Sequence, residues 1–367
     1  MPNSAGPRTI VLHDLFRMRG GGERLALILA RNLAQALCYG YRTPDSYDSE
    51  AMAGLRIIDL AVGRGPFGIR TLRLMHAFRR RTGFLSAYDM AIYHGFFAPL
   101  AVQNHPRGHN IYYCSAPPRF AYDQYDFHLS RLSPLKRLCT RVYVPRLRAQ
   151  FEAAARRMDV VVVNSRNVQQ RIRRYFDLET EIVHPPCDTQ RYRWGGQDGY
   201  YLSTARLDPL KRVDVIVRAF RTLPQHRLIV MSGGDELPRL KELAGEAPNI
   251  SFTGWVGEEE QTRLIGQAVA TLYIPRDEDF GMSPVESMAA GKPVIGVAEG
   301  GLLETVIPGE TGILLPPDPG PEEVAAAVTQ LTPARALEMR QNCETRAKAF
   351  DTELFVRRMS EIVARFY

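Results

Sequence analysis

The chain has 367 residues, of which 45% are hydrophobic and 24% are charged, a balance typical of folded globular proteins. This length exceeds what one hydrophobic core usually supports, so we expect two domains. The sequence has no run of about 18 apolar residues and no basic start followed by an apolar stretch, so we expect neither a spanning nor a secreted chain. Five cysteines without a CxxC pair fit a reducing compartment, and we expect a cytoplasmic protein.

The net charge of +7 is unevenly distributed along the chain. Residues 1–190 contain 27 Arg and Lys against 15 Asp and Glu, whereas residues 191–367 contain 20 against 25. A basic surface can attract nucleic acid, anionic lipid or a phosphorylated substrate, although a GC-rich coding sequence alone could produce an excess of Arg. No recognisable nucleic-acid-binding module is present, so nucleic acid is not an expected partner.

Strand-like apolar runs alternate with helix-length segments, which predicts parallel sheets covered by helices and an α/β fold. A stretch rich in Pro and Gly, residues 185–199, interrupts this rhythm. We therefore predict a first Rossmann-like domain over residues 1–190 and a second over 191–350, with ligands at the carboxyl ends of the strands. The predicted strands are residues 9–13, 55–60, 89–94, 111–114, 159–163 and 181–184, then 200–204, 227–232, 250–253, 270–274, 293–296 and 312–315. Predicted helices include residues 22–37, 135–157 and a segment capped at residues 164–165 that runs to residue 176.

The segment richest in chemistry, residues 275–296, reads PRDEDFGMSPVESMAAGKPVIG and follows a predicted strand. Ser283, Pro284 and Glu286 predict a helix start in which Ser283 is the N-cap. Glu278 then lies in the loop before this helix, where the first amides and the helix dipole would suit a phosphate. A plain capping box, with Glu286 bonded to its own N-cap amide, is the alternative for SPVE alone.

The two glutamates are separated by seven residues and resemble the donor-site signature of glycosyltransferase family four. That family consists of retaining enzymes with the GT-B fold, two Rossmann-like domains facing a central cleft. Gly281 permits close backbone approach, and a Gly-rich turn at residues 300–304 follows the next predicted strand. The segment EDFGMSPVES resembles a segment of bacterial mannosyltransferases of polysaccharide assembly. The resemblance covers essentially the whole chain and is strongest over residues 200–315.

The segment STARLDPLKRVD, residues 203–214, is similar to the family's arginine and lysine turn. This similarity implies Arg206 and Lys211 as contacts of the donor diphosphate, since two cations suit two phosphates. The resemblance also implies that Glu286 holds the donor ribose and that Glu278 contacts a sugar hydroxyl. A solvated helix start is the alternative for the two cations alone. The expected donor-binding residues are Gly21, Gly22, Arg206, Lys211, Glu278, Phe280, Gly281, Met282, Ser283 and Glu286.

In the first half, the run Gly20-Gly21-Gly22 follows the first predicted strand and opens a helix, where backbone amides can approach a ligand. Its position matches the family's glycine-rich loop over the donor sugar, and a plain flexible loop is the alternative. His94 ends a predicted strand and matches the family's active-site histidine. The resemblance thus implies His94 as a catalytic residue together with Glu278, Arg206 and Lys211, although a strand-end histidine is often structural.

The segment YYCSAPPRFAYD, residues 112–123, resembles an acceptor-side segment of the same mannosyltransferases. The resemblance implies GDP-mannose as the donor and a hydroxyl of a saccharide or polyprenyl-linked saccharide as the acceptor. It further implies retention of configuration, with the departing phosphate taking the acceptor proton. The last helix, residues 351–367, is implied to cross back to the first domain.

The triplet Asp277-Glu278-Asp279 spells the DxD motif of the other glycosyltransferase architecture, GT-A, in which carboxylates hold a divalent ion on the donor. Arg206, Lys211 and a helix N-terminus would already neutralise the leaving group here. We therefore expect no divalent metal and no other cofactor.

A helix over residues 69–81 would carry apolar side chains among many arginines, as an interfacial helix does. We therefore consider contact with an anionic membrane, and a core-packed helix with a solvated basic face is the alternative. The stripe consists of Ile69, Leu72, Met75 and Phe78, and the cations are Arg70, Arg73, Arg79, Arg80 and Arg81.

Other functions remain open at this level. A UDP-sugar-dependent transferase of the same family, a sugar-nucleotide epimerase with the same fold and a non-catalytic sugar-nucleotide-binding protein would all keep the pocket. An NAD dehydrogenase is disfavoured because no GxGxxG fingerprint follows the first strand of either half.

Overall fold

The computed structural model describes residues 7–17, 20–48, 50–63, 65 and 67–367. The chain divides into two compact units, unit 1 with Met1–His184 and Val356–Tyr367, and unit 2 with Pro185–Phe355. The division falls where the Pro- and Gly-rich stretch begins, six residues before the predicted start of the second domain. Each unit contains one parallel sheet whose strands are connected by helices, as the alternating pattern predicts.

Unit 1 contains a sheet in the order β3-β2-β1-β4-β5-β6-β7, and every pairing in it is parallel. Short 3₁₀ turns at Gly83–Ala87, Ala98–Asn104 and Arg119–Ala121 join some of its elements. The strands are β1 (Thr9–Phe16), β2 (Ala36–Arg42), β3 (Arg56–Asp59), β4 (Met90–His94), β5 (His109–Cys114), β6 (Val160–Val163) and β7 (Glu181–Ile182), and the helices are α1 (Gly21–Leu33), α2 (Phe67–Arg80), α3 (Tyr125–Ser130), α4 (Pro134–Ala155) and α5 (Arg166–Phe176).

Two features of unit 1 differ from the sequence prediction. The helix predicted over residues 22–37 ends at Leu33, and the next apolar residues form β2, which pairs with β1 along its length. An apolar run can fit the period of a helix and that of a strand equally well. Its conformation is then selected by the strand with which it pairs, and the local sequence does not contain that strand. In α2, Met75 and Phe78 are buried in the core, so the predicted apolar stripe keeps only two exposed members, described below. The predicted cap of α5 is confirmed, since the Ser165 hydroxyl accepts from the Val168 amide at 3.0 Å.

Unit 2 contains a sheet in the order β10-β9-β8-β11-β12-β13, also with parallel pairings only. A 3₁₀ turn at Pro209–Lys211 precedes its first helix. The strands are β8 (Tyr200–Ser203), β9 (Arg227–Met231), β10 (Ile250–Gly254), β11 (Thr271–Leu272), β12 (Val294–Val297) and β13 (Gly312–Leu315), and the helices are α6 (Val213–Arg221), α7 (Leu237–Ala244), α8 (Glu258–Gln267), α9 (Met282–Ala289), α10 (Leu302–Thr305), α11 (Pro321–Gln330), α12 (Pro333–Glu338), α13 (Arg340–Lys348) and α14 (Thr352–Val363), the last of which runs on into unit 1.

The C-terminal residues pack within unit 1. Arg365, in the 3₁₀ turn Ala364–Phe366, pairs with Glu181 at 2.5 and 2.9 Å, and the Phe366 ring lies 4.7 Å from the His109 ring. These contacts attach the end of the chain to β5 and β7 of the first sheet. Across the part of the chain that the structure describes, no helix is both long enough and apolar enough to span a membrane.

Candidate functional site

The loops that follow β8, β11 and β12 meet at the carboxyl edge of the unit 2 sheet. The Arg276 amide donates to the Leu210 carbonyl at 2.7 Å, which joins the loops after β11 and β8. The Gly301 amide donates to the Glu278 carbonyl at 2.8 Å, which joins the loops after β12 and β11. Because the strands are parallel, residues distant in sequence converge at this edge.

Lys211 and Glu278 are in direct contact in this edge cluster. The Lys211 ammonium pairs with the Glu278 carboxylate and donates to the Tyr273 hydroxyl at 3.2 Å. Tyr273 in turn donates to Glu278 at 2.9 Å. Burial opposes the charge of Lys211, but the adjacent Glu278 carboxylate outweighs it and raises the pKa of Lys211 above its ordinary value. Lys211 is therefore a permanent cation in a half-buried, charge-paired position.

Arg206 lies on the turn after β8 and is exposed. Its guanidinium makes no ion pair or side-chain hydrogen bond with any residue within the described part of the chain. The structure thus holds Lys211 in a fixed contact and leaves Arg206 available to an anion in solution.

A second ion pair, which the sequence reasoning missed, fixes the same loops. Arg212 is buried and bonds the Glu299 carboxylate at 2.9 and 3.2 Å. Glu299 also accepts from the amides of Asp277 at 2.9 Å and Asp318 at 2.8 Å. Glu299 follows β12, so the strand-end argument applied to every strand could have found it. This network sets the backbone next to Glu278.

The start of α9 differs from the prediction. Gly281 is the N-cap, with φ of 87°, and the helix begins at Met282, so the predicted N-cap Ser283 is the second helical residue. The positive φ that glycine adopts without a steric penalty turns the chain into the helix two residues early. Among the residues that the structure describes, no side-chain hydrogen bond caps this end, so the capping-box alternative is also wrong. The first amides of α9 and the helix dipole therefore favour an anion.

Around the start of α9, some of the predicted residues pack in the core and others lie at the candidate site. Phe280 is buried against the ring of Phe350, 5.4 Å away, so only its backbone is available to a ligand. A Cβ added to Gly301 would lie 2.3 Å from the Phe280 Cα, so the close packing of the two loops requires glycine there. Glu286 lies on α9 with 7% of its surface exposed. A carboxylate in such a position suits a directional hydrogen bond more than a bulk electrostatic role.

In unit 1, His94 ends β4 and lies beside His13 of β1, with the rings stacked 4.8 Å apart. The two Nδ1 atoms are 3.0 Å apart, and His13 Nδ1 is 3.3 Å from the His94 carbonyl oxygen. A carbonyl only accepts, so His13 Nδ1 carries the hydrogen and His94 Nδ1 accepts. The neutral His94 ring then carries its hydrogen on Nε2, which donates to Ser115 at 3.0 Å.

Both histidines are neutral in the folded protein. Burial lowers the pKa of His13 to about 4. Burial, and then the charge of His13, lower the pKa of His94 well below its ordinary value. His94 therefore offers a hydrogen-bond donor, not a charge.

The glycine-rich turn of unit 1 lies next to His94. The helix α1 begins at Gly21 with Gly20 as N-cap, and a Cβ added to Gly22 would lie 3.8 Å from His94 Cε1. The structure thus brings Gly21, Gly22 and His94 together, as the two strand-end positions require. Residues 18 and 19 of the preceding loop lie outside the described residues.

Within the described ranges, no group of three or more His, Cys, Asp or Glu side chains is placed to hold a metal ion.

Comparison with known proteins relates unit 2 to one family and the whole chain to one fold. Residues 188–350 match the family model described as "Glycosyl transferases group 1". The alignment with the D-inositol 3-phosphate glycosyltransferase of Mycobacterium leprae is 30% identical over 167 positions, and it covers 39% of this chain and 38% of that protein. The alignment with the alpha-1,3/1,6-mannosyltransferase ALG2 of Rhizomucor pusillus is 33% identical over 157 positions, and it covers 32% of this chain and 34% of that protein. The match thus spans less than two fifths of these curated relatives.

Two solved structures extend the similarity to nearly the full length. Sucrose-phosphate synthase from Thermosynechococcus elongatus superposes with a TM-score of 0.79 at 19% identity, covering 98% of each chain. Anabaena HepE, solved in complex with UDP and glucose, superposes with a TM-score of 0.76 at 17% identity, covering 98% of this chain and 100% of that one. The chain has the two-domain GT-B fold of these structures, and its residues 188–350 match the glycosyl transferases group 1 model.

Proposed function

We propose that the chain is a retaining glycosyltransferase that moves mannose from GDP-mannose to a hydroxyl of a saccharide or polyprenyl-linked saccharide. The observation that carries the proposal is the convergence of Lys211, Arg206 and the uncapped start of α9 at one sheet edge. Such a concentration of positive potential suits the diphosphate of a nucleotide sugar. The group 1 domain match and the likeness to ALG2 support the same reaction class.

In the proposed reaction, the departing phosphate is the group that most needs stabilisation. The bond between the anomeric carbon and the diphosphate oxygen breaks, the acceptor oxygen takes its place, and the acceptor proton passes to the departing phosphate. Negative charge grows on that phosphate, where fixed cations and helix amides stabilise the transition state. Lys211 uses two of its three N–H donors on described residues, Glu278 and Tyr273, which leaves one for a phosphate oxygen. These groups would make a divalent metal or other cofactor unnecessary.

The remaining proposed roles follow from position. Glu286 would accept from the donor ribose, and Glu278 from a sugar hydroxyl. His94 in unit 1 would contact the sugar by turning its Nε2–H bond from Ser115 to a sugar hydroxyl. We propose that the reaction takes place in the cytoplasm, because five scattered cysteines without a CxxC pair fit a reducing compartment.

A UDP-sugar is the second candidate donor, because HepE was solved with UDP and with UDP-glucose. A panel of nucleotide sugars separates the candidates by thermal shift and product chromatography. We expect GDP-mannose to stabilise the protein most, since a ligand at 100 times its Kd adds about 2.7 kcal/mol, and to give product with a saccharide acceptor. Greater stabilisation and turnover with a UDP-sugar would reject the mannose donor.

The same experiment tests the other reaction classes. An epimerase would change the sugar nucleotide without any acceptor. A binding protein would be stabilised but would turn over no nucleotide sugar with any acceptor. The variant Glu286→Gln, compared with Glu246→Gln on an exposed loop, shows whether stabilisation comes from the proposed site.

A further inference from the structure

Five of the most exposed large apolar side chains in the described residues lie on two helices of unit 1. They are Ile69 and Leu72 on α2 and Leu135, Leu138 and Val142 on α4, with exposed fractions between 49% and 73%. A solvated helix face usually carries polar side chains, so this concentration indicates a surface that contacts another apolar phase.

The exposed apolar residues of α4 follow the helical repeat. Leu135, Leu138, Cys139 and Val142 stand at positions i, i+3, i+4 and i+7, which places them on one side of the helix. Leu147, on the opposite side, is fully buried. The first half of α4 is therefore amphipathic, but its apolar side faces outward.

The two helices are neighbours. The Tyr143 hydroxyl of α4 is 2.8 Å from the Met75 sulfur of α2. One turn further along α2 and two turns further along α4, Arg79 donates to Gln150 at 2.9 Å. We call the exposed sides of these two linked helices the α2/α4 surface.

The charge of this region has one sign. Residues 131–148 contain six Arg or Lys and no Asp or Glu, and residues 67–81 contain five Arg and no Asp or Glu. Lys136, Arg141 and Arg146 are exposed beside the α4 stripe. Two copies of such a surface would repel one another, whereas a phosphate-rich apolar layer would complement both its charge and its stripe.

A groove of about 350 Å³ beside α2 combines the same two chemistries. Val62, Ile69 and Leu72 give it an apolar wall, and Arg73 and Arg81 line it with cations. A lipid combines an acyl chain with a phosphate, which a free anion or a free hydrocarbon does not.

We propose that the α2/α4 surface docks on a bilayer with anionic headgroups, with the apolar stripe entering the interface and the flanking cations contacting lipid phosphates. This inference deepens the proposed function, because it would bring the enzyme to a lipid-linked acceptor. The binding itself needs neither donor nor turnover.

Co-sedimentation of the full chain with vesicles tests the proposal. We expect binding to vesicles of phosphatidylglycerol and phosphatidylcholine at low salt, weakened by added salt, and little binding to phosphatidylcholine alone. The double variant Leu138→Gln/Val142→Gln should lose about tenfold in binding, because two apolar side chains no longer enter the interface. The variant Lys136→Gln/Arg141→Gln should lose about fivefold for each cation removed.

Matched controls lie in unit 2. Leu337→Gln replaces an apolar side chain that is 51% exposed on α12, and Arg218→Gln/Arg221→Gln replaces two exposed cations on α6. Both controls should bind vesicles like the unmodified chain. Equal losses in controls and α4 variants, or no binding to anionic vesicles at low salt, would overturn the proposal.

Two further measurements complete the test. Sedimentation velocity without lipid should give the same species for the chain and for Leu138→Gln/Val142→Gln, and an oligomer lost in the variant would reassign the surface to protein association. Stabilisation by a nucleoside diphosphate should be unchanged in all these variants. A failure of donor binding and a failure of membrane docking are therefore distinguishable.

Discussion

Lys211 and Glu278, 67 residues apart, form one ion pair to which the Tyr273 hydroxyl is bonded on both sides, at 3.2 Å from Lys211 and 2.9 Å from Glu278. The cation proposed for the phosphate and the carboxylate proposed for the sugar are thus a single coupled unit. Removing Glu278 would release the ammonium, and removing Lys211 would take the neighbouring cation away from a half-buried carboxylate. The two roles have to be tested with this coupling in mind.

Replacing either proposed phosphate contact should reduce turnover strongly. We expect Lys211→Ala and Arg206→Ala each to lower kcat/KM by about 100-fold, since a charge-assisted hydrogen bond contributes about 1.5 to 3 kcal/mol. Lys211→Ala should also lower the free energy of unfolding, whereas the exposed Arg206→Ala should not. Steady-state kinetics and urea unfolding measure both, with Arg218→Ala as the control. Unchanged kinetics in both single variants would reject the phosphate assignment.

Gly301 should tolerate no side chain. The Cβ of Gly301→Ala would meet the Phe280 backbone at 2.3 to 2.6 Å, so the loops after β11 and β12 must separate. We expect a loss of about 1 to 3 kcal/mol in the free energy of unfolding, together with weaker nucleotide binding. Gly257→Ala is the matched control, because an added Cβ there has nothing within 4 Å. Equal effects of the two changes would show that the close approach does not shape the site.

The position of the carboxyl edge could be predicted because parallel strands bring their ends together whatever the loops contain. Arg206, Lys211, Glu278 and His94 all follow strands that the apolar pattern identified, but the roles given to them are implied by the resemblance to glycosyltransferase family four. Glu299 also follows a predicted strand, and it was missed because no quoted motif includes it and its partners are distant in sequence.

The prediction was wrong at positions where the local sequence permits two conformations. Ser283 is a better N-cap by composition than Gly281, but the backbone turn at Gly281, with its positive φ, decided where α9 begins. Ala36 and Leu37, which the prediction placed at the end of the first helix, belong to β2, and pairing with β1 decided their conformation. In both cases tertiary contacts selected one of two states that the sequence permits.

The buried histidine pair should make stability sensitive to acid. His13, with its pKa lowered to about 4, stays neutral in the folded protein while the unfolded chain takes up a proton below about pH 6.5. The unfolded state then binds more protons, so the free energy of unfolding falls as the pH drops from 6.5 to 4, by up to roughly 3 kcal/mol. Urea titrations across this range measure the slope. It should be smaller in His13→Phe and unchanged in His76→Gln, which replaces an exposed histidine.

Lys292 should make the free energy of unfolding depend on pH above pH 7. It is fully buried over the Trp194 ring, and burial, then the neighbouring Arg340, lower its pKa to about 7. Above pH 7 the folded protein releases this proton and the unfolded chain keeps it, so the free energy of unfolding rises with pH.

From pH 7 to pH 9 this contribution amounts to about 2 kcal/mol by linkage. The comparison of Lys292→Met with Lys348→Met, an exposed lysine on α13, isolates it. Only Lys292→Met should lose the rise of the free energy of unfolding with pH. An identical pH dependence in both would mean that Lys292 keeps its charge through the alkaline range.

Catalysis should proceed without a divalent metal, and the DxD triplet is where this can be tested most sharply. In GT-A enzymes such a triplet holds an ion that neutralises the leaving diphosphate, a task we assign to Arg206, Lys211 and the start of α9. We therefore expect full activity in excess EDTA, and Asp279→Asn should cost far less in kcat/KM than Glu286→Gln. The backbone at Asp277 already donates to Glu299 at 2.9 Å, which orients this loop through the Arg212 network and requires no ion to do so. Loss of activity in EDTA that manganese or magnesium restores would transfer the leaving-group role from the cations to a metal.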